Sequence, residues 1–372
     1  MTPLIRAPRL RSVAGEPARK VTWLELFFDL VFVAAVAQVA APLREDYSAH
    51  GLVRFAVLFV LIWWAWTGYS MFATRFDADD GMQRCLTLLQ MFAVAVMAAN
   101  AQHPLGSRDS AGFAAAYAGV RLVLVIQYLR ARTVRAARSL ATRHVAGHGI
   151  AAILWLASAF TEAPARFVLW TIAMAIDLGT PWSAVDHSAK VPPDAAHLPE
   201  RFGLFTLILL GESVVAVMEG MESQEHWSLP AAAAAFLAMA TAFALWWWYF
   251  DRVRAAREQP VRSRRDAVRL HAWSYAHLPL YLGIAVSGVG LQRIVQRADM
   301  TLAPASELAI LAGALALAGV AMSTLGLLVN GARFQKAGLT DSSDRLTGFL
   351  LARILQVPRV RTREPEGARA TD

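Results

Sequence analysis

The chain has 372 residues, 56% of them hydrophobic and only 17% charged, with a mean hydropathy of +0.41. A soluble domain carries roughly 25% charged residues, so this composition argues against a soluble catalytic module and for a chain solvated by lipid. The net charge of +8 is compatible with nucleic acid in size, but its distribution along the chain points elsewhere.

About ten apolar runs approach the length that crosses a hydrocarbon core of about 30 Å. They lie near 21–43, 52–74, 83–102, 111–129, 145–161, 165–182, 201–218, 230–250, 270–294 and 305–330. The fold class they predict is an all-α, polytopic membrane protein of about ten transmembrane helices. Residues 1–20 read as a basic, mobile cytoplasmic tail, 21–330 as the membrane domain and 331–372 as a second cytoplasmic tail. A basic tail before an apolar stretch resembles a cleaved signal peptide, but Glu25 and Asp29 inside that stretch mark it as an uncleaved first span.

The first run reads Trp23-Leu24-Glu25-Leu26-Phe27-Phe28-Asp29-Leu30-Val31-Phe32-Val33. Its two carboxylates are four residues apart and share one helix face. A charged carboxylate at a helix centre costs roughly 2.5–3.5 kcal/mol on insertion scales. Such groups are retained where they meet a protein interior, a partner charge or a water-filled path. The second run carries Trp63, Trp64 and Trp66, echoed by Trp246, Trp247 and Trp248 in the eighth. With spans one to four and seven to ten starting about 180 residues apart, this echo points to two pseudo-repeats of parallel topology. The plain alternative places both Trp clusters in an interfacial belt.

Arg121 falls in the middle of the fourth run and needs a counter-charge, for which Glu212 and Asp177 are the candidates. Thr161-Glu162-Ala163-Pro164 makes a tight turn between runs five and six. The sixth is expected to break at Gly179 and Pro181. The seventh contains Glu200-Arg201-Phe202-Gly203 and then Leu210-Gly211-Glu212-Ser213. Arg201 sits at its cytoplasmic mouth and Glu212 three turns deeper, while Gly203 and Gly211 predict close helix approach. The ninth run carries His271 and His277, six residues apart and on largely opposite faces, a spacing that does not suit a helical metal pair. After the tenth, Leu346, Phe349, Leu350 and Ile354 form a short apolar stripe expected to lie in the interface. The single cysteine, Cys85, excludes an internal disulfide.

The basic residues cluster in alternate connections. Arg6, Arg9, Arg11, Arg19 and Lys20 precede span one; Arg130, Arg132, Arg135, Arg138 and Arg143 follow span four. Another seven arginines, Arg252 to Arg269, follow span eight, whereas the intervening loops carry few. This is the positive-inside pattern over an even number of spans, so both termini are expected in the cytoplasm. The partners it implies are the bilayer and anionic lipid headgroups, not nucleic acid; an oligomer stays open.

Glu25, Asp29, Arg121, Asp177, Arg201, Glu212 and His277 form a depth-ordered series suited to moving protons or a cation. Dinucleotide, Walker A, zincin and nucleophile-elbow motifs are absent from the sequence, and the residues name no cofactor, metal or catalytic group. The leading expectation is therefore a proton- or cation-coupled transporter or channel for a small ion or molecule. A membrane enzyme acting on a lipid or isoprenoid, an accessory scaffold and a light- or cofactor-binding protein are the alternatives.

The stretches at 23–33 and 200–217 resemble the two signature stretches of the bacterial low-temperature-requirement A family, and His277-Leu278-Pro279-Leu280 is similar to its later His-Leu-Pro stretch. Glu25, Asp29, Glu200, Arg201, Gly203, Gly211, Glu212 and Ser213 match that pattern. The resemblance implies a membrane protein connected with growth in the cold and brings no catalytic assignment.

Overall fold

A computed structural model describes residues 4–11, 21–101, 109–224, 228–254, 261, 263–298 and 303–330. Its helices are α1 (Trp23–Glu45), α2 (Ala49–Ala73), α3 (Gly81–Ala99), α4 (Asp109–Ala131), α5 (Arg138–Ala159), α6 (Ala165–Ser183), the single turn α7 (Val185–Ser188), α8 (His197–Glu222), α9 (Leu229–Arg254), α10 (Arg264–Gln296) and α11 (Ala305–Asn330). Two short strands, β1 (Arg9–Leu10) and β2 (Phe76–Asp77), pair antiparallel. The ten long helices coincide with the ten expected runs. Eight of them are both long and apolar enough to span a membrane; α5 and α6 have 22 and 19 residues but fall outside that set. Their polar residues His144, His148 and Asp177 are buried in the protein interior. The chain is an integral membrane protein.

Local chemistry fixes the helix ends. Thr22 caps α1: its hydroxyl accepts from the Glu25 N–H, and the Glu25 carboxylate accepts from the Thr22 N–H at 2.8 Å. Ser263 and Asp266 form the same reciprocal cap on α10, whereas Ser48 and Asp80 cap α2 and α3 by accepting from the Gly51 and Gln83 N–H groups alone. Against the expected break at Pro181, α6 runs through it to Ser183. The Thr180 hydroxyl bonds Ile176 O and the Ser183 hydroxyl bonds Thr180 O, so side chains occupy carbonyls in the turn that the proline disturbs.

In the first half α1 packs on α2 and α3, α3 on α4, and α2 on α4. In the second, α8 packs on α9 and α10, α10 on α11, and α9 on α11. Four pairings thus recur, while α9 also packs on α10 without a comparable α2–α3 contact. The α5–α6 hairpin packs on α4, and α10 runs through the middle of the bundle, touching α1, α2, α6, α8, α9 and α11.

Three expectations need correction. Trp63, Trp64 and Trp66 are not an interfacial belt: all three are at most 2% exposed, whereas Trp246 and Trp247 are each 40% exposed. Their rings pack against Tyr275, Phe202 and Phe205 in the bundle core. Gly211 faces open space and Gly203 meets only the edge of Phe250. The tight crossings fall instead at Gly288, where an added Cβ would sit 3.1 Å from Ser213 Cα, and at Gly283, 2.6 Å from Ala314 O. Residues 4–11 are docked, not mobile: β1 holds the chain to β2, and the Arg6 N–H donates to Asp80 Oδ2 at 2.6 Å. The expected amphipathic stripe at 346–354 lies outside the described residues.

Candidate functional site

The structure resolves the predicted series into three separate charged clusters and one isolated histidine. The first joins the N-terminal turns of α1 and α8. Glu25 and Asp29, one turn apart on α1, face His197 and Arg201, one turn apart on α8. Glu25 Oε2 lies 3.2 Å from His197 Nε2, and Arg201 Nη2 donates to Asp29 Oδ1 at 2.7 Å. Two complementary pairs spaced i, i+4 therefore meet face to face between parallel helices.

The docked N-terminal arm completes this cluster. Arg11 Nη2 donates to Glu25 Oε1 at 2.9 Å, and Arg201 Nη1 approaches the same oxygen at 3.8 Å. From α2, Trp66 Nε1 donates to Asp29 Oδ1 at 2.8 Å, and Ser70 Oγ accepts from Arg201 Nη2 at 3.2 Å. The Arg201 guanidinium lies 5.9 Å and 5.7 Å from the ring centroids of Trp66 and Tyr69, within cation–π range. The two carboxylates of the cluster meet two guanidiniums.

Glu25, Asp29, His197 and Arg201 are all buried, yet their hydrogen-bonding capacity is incompletely used. Asp29 Oδ2, Arg201 Nε and Nη1, and His197 Nδ1 have no hydrogen-bond partner. Buried polar atoms are normally paired, so these four atoms leave hydrogen-bonding capacity unused at the centre of the cluster. A cleft of about 540 Å³ reaches Glu25 from the loop end, with Arg11, Tyr69, Phe72, Gln83 and Arg84 in its walls.

A second cluster lies among α4, α5 and α6. Arg121 Nε is 2.6 Å from Asp177 Oδ2, and His148 Nδ1 is 2.7 Å from Asp177 Oδ1. Arg121 Nη2 also donates to the Tyr117 hydroxyl. Of the two counter-ions the sequence offered for Arg121, Asp177 takes the place and Glu212 does not.

Glu212 belongs to a third cluster at the opposite end of α1. Arg44 Nη2 donates to its Oε1 at 2.5 Å, and Arg44 Nη1 lies 3.3 Å from Glu219 Oε2. Arg293 bonds Arg44 O at 2.7 Å and Glu307 Oε1 at 2.7 Å. The buried hydroxyl of Tyr47 donates to Val286 O at 3.2 Å in the same region, and burial raises that phenol above its ordinary pKa. A continuous path linking Glu25, Asp29 and Glu212 is thus not what the geometry provides.

His277 stands apart. Its Nδ1 faces Trp273 O at 2.9 Å and its Nε2 faces the Tyr249 hydroxyl at 3.1 Å, both ring nitrogens being occupied inside an aromatic cage. Among the described residues no three His, Cys, Asp or Glu side chains gather as a metal-holding group.

Sequence reasoning missed His197, Arg11, Trp66 and Ser70. His197 carried a usable signal, since it precedes Arg201 by four residues as Glu25 precedes Asp29. The other three are brought in by tertiary packing alone.

An uncharacterized protein of Rhizobium meliloti (strain 1021) is 28% identical over 288 residues, covering 73% of this chain and 68% of its own. No solved structure matches the chain. Residues 20–356 match the family described as bacterial low temperature requirement A protein. This match takes in both signature stretches and every helix from α1 to α11, and the chain belongs to the low-temperature-requirement A (LtrA) family.

Proposed function

We propose that this protein is a proton- or cation-coupled transporter or channel of the bacterial cytoplasmic membrane, with Glu25, Asp29, His197 and Arg201 as its charge-handling site. The observation that carries this reading is the meeting of those two i, i+4 pairs where the first helices of the two pseudo-repeats touch, with four buried atoms left open. Secondary transporters commonly place their sites at such repeat interfaces.

The chemistry follows from the charges. A proton or small cation enters by the cleft at Glu25. Protonation of Asp29 at Oδ2 cancels its charge and frees Arg201 to lean on Glu25, already 3.8 Å away. Deprotonation restores the 2.7 Å pair. Both termini lie in the cytoplasm, because Arg130, Arg132, Arg135, Arg138 and Arg143 cluster at that end. The exposed members of this group also favour anionic lipid headgroups.

The test is proton and cation flux in proteoliposomes, wild type beside Asp29→Asn and Arg201→Gln. Loss of flux in folded variants is expected. Full, pH-responsive flux in both would leave the ion pairs as helix-pairing elements of a scaffold protein.

A further inference from the structure

Arg75, at the turn after α2, is buried to 1% exposure and belongs to none of the three charged clusters. Its Nη1 donates to Met71 O at 3.0 Å and its Nε to Val191 O at 3.3 Å, while Nη2 has no partner. No carboxylate pairs with it among the described residues. A buried guanidinium held only by carbonyls is an uncompensated charge, an arrangement that costs several kcal/mol.

The surroundings supply a second unpartnered polar atom. His271 on α10 is 2% exposed, and its Nε2 is also without a partner. His271 and His144 both lie within electrostatic reach of Arg75. His144 stacks on Tyr128 at 4.4 Å between centroids, and Trp182 walls His271 at 5.6 Å. His144 turns its Nδ1 to Leu140 O at 3.0 Å.

From this geometry we infer an anion-binding site in which Arg75 Nη2–H and His271 Nε2–H hold one small singly charged anion beneath the β1–β2 ribbon. One guanidinium calls for one negative charge. The inference does not depend on the transport reading: Arg75 meets that cluster only through its backbone carbonyl, which accepts from Arg11 N–H at 2.9 Å, and neither its guanidinium nor His271 bonds Glu25, Asp29 or Arg201. A free halide or carboxylate and the phosphodiester of a lipid headgroup share the required chemistry.

The experiment uses the full chain in nanodiscs of zwitterionic lipid, at constant ionic strength with gluconate as the bulky counter-anion. Chloride, nitrate and acetate are titrated in separate series while tryptophan fluorescence and thermal midpoint are followed. In a parallel series phosphatidylglycerol replaces part of the lipid. Wild type should give a saturable fluorescence change and a rise in thermal midpoint with one of these probes. Response to a free anion identifies a soluble ligand; response only to phosphatidylglycerol identifies the headgroup. Arg75→Gln should abolish the response, and His271→Phe should weaken the affinity about tenfold, as expected for the loss of one hydrogen bond to an anion. An unchanged response in folded Arg75→Gln overturns the site, as does the lack of any saturable response in wild type. If Arg75→Gln does not fold, His271→Phe decides: an unchanged affinity overturns the site.

Discussion

Arg201 and Asp29 meet at 2.7 Å between α8 and α1, and both are buried. Removing one partner strands the other charge in a low-dielectric interior. Arg201→Met or Asp29→Ala should each lower stability by about 3–5 kcal/mol. The double variant should recover a large part of the loss, measured by thermal unfolding in detergent. Strict additivity of the two single effects would show that the pair is not coupled.

The same logic separates the two counter-ions once open to Arg121. Arg121→Leu should sharply reduce folded yield, and adding Asp177→Asn should restore part of it. Adding Glu212→Gln should restore nothing, because Glu212 faces Arg44 at the other end of α1. Rescue by the Glu212 change would contradict the pairing.

At that other end the ion pair is wetter, with side-chain exposures of 22% for Arg44 and 14% for Glu212. Solvent screening weakens such pairs. Glu212→Gln should therefore cost about 1 kcal/mol, well below the cost of Asp29→Ala in the same thermal assay. Equal losses at both ends would mean that burial does not set the difference.

Two glycines make opposite forecasts. An alanine Cβ at Gly288 would lie 3.1 Å from Ser213 Cα and 2.6 Å from its hydroxyl, so Gly288→Ala should destabilise by about 1–3 kcal/mol. Gly211→Ala meets nothing within 4 Å and should stabilise by up to about 1 kcal/mol through helix propensity. Thermal midpoints of the two variants, measured side by side, test both claims.

Topology is open to reporter fusions. Fusions after Thr133 and after residue 258 should report cytoplasm, and one after Ser223 should report periplasm. A periplasmic signal at 258 would invert the second half of the arrangement.

The helices were legible because lipid demands long apolar runs, and even the α5–α6 hairpin was visible from its turn. Glu25, Asp29 and Arg201 were legible as a charged site because intramembrane ions are few and costly. Their grouping was less so. Periodicity reports which residues share a face, and it correctly aligned Glu25 with Asp29, but it does not report which helix that face meets. Reading depth along α8 placed Glu212 in the path of Arg201, whereas the parallel packing of α1 and α8 sends it to Arg44. Arg11 was hidden for a different reason: a basic residue in a Pro-containing tail resembles any positive-inside arginine until β1 pairs with β2 and docks the segment.

The pairing of Asp29 with Arg201 also has a history in time. The two residues are 172 positions apart, and at a synthesis rate of about 5–20 residues per second α8 follows α1 out of the ribosome by roughly 10–30 s. Throughout that interval α1 carries two carboxylates and, from this cluster, a single basic side chain, Arg11 of the preceding arm, which binds Glu25; Asp29 has the Trp66 N–H of α2 and no counter-charge. Its counter-charge arrives only with α8. The first helix is thus translated first and settled late, and its final seat in the bilayer depends on the second half of the chain.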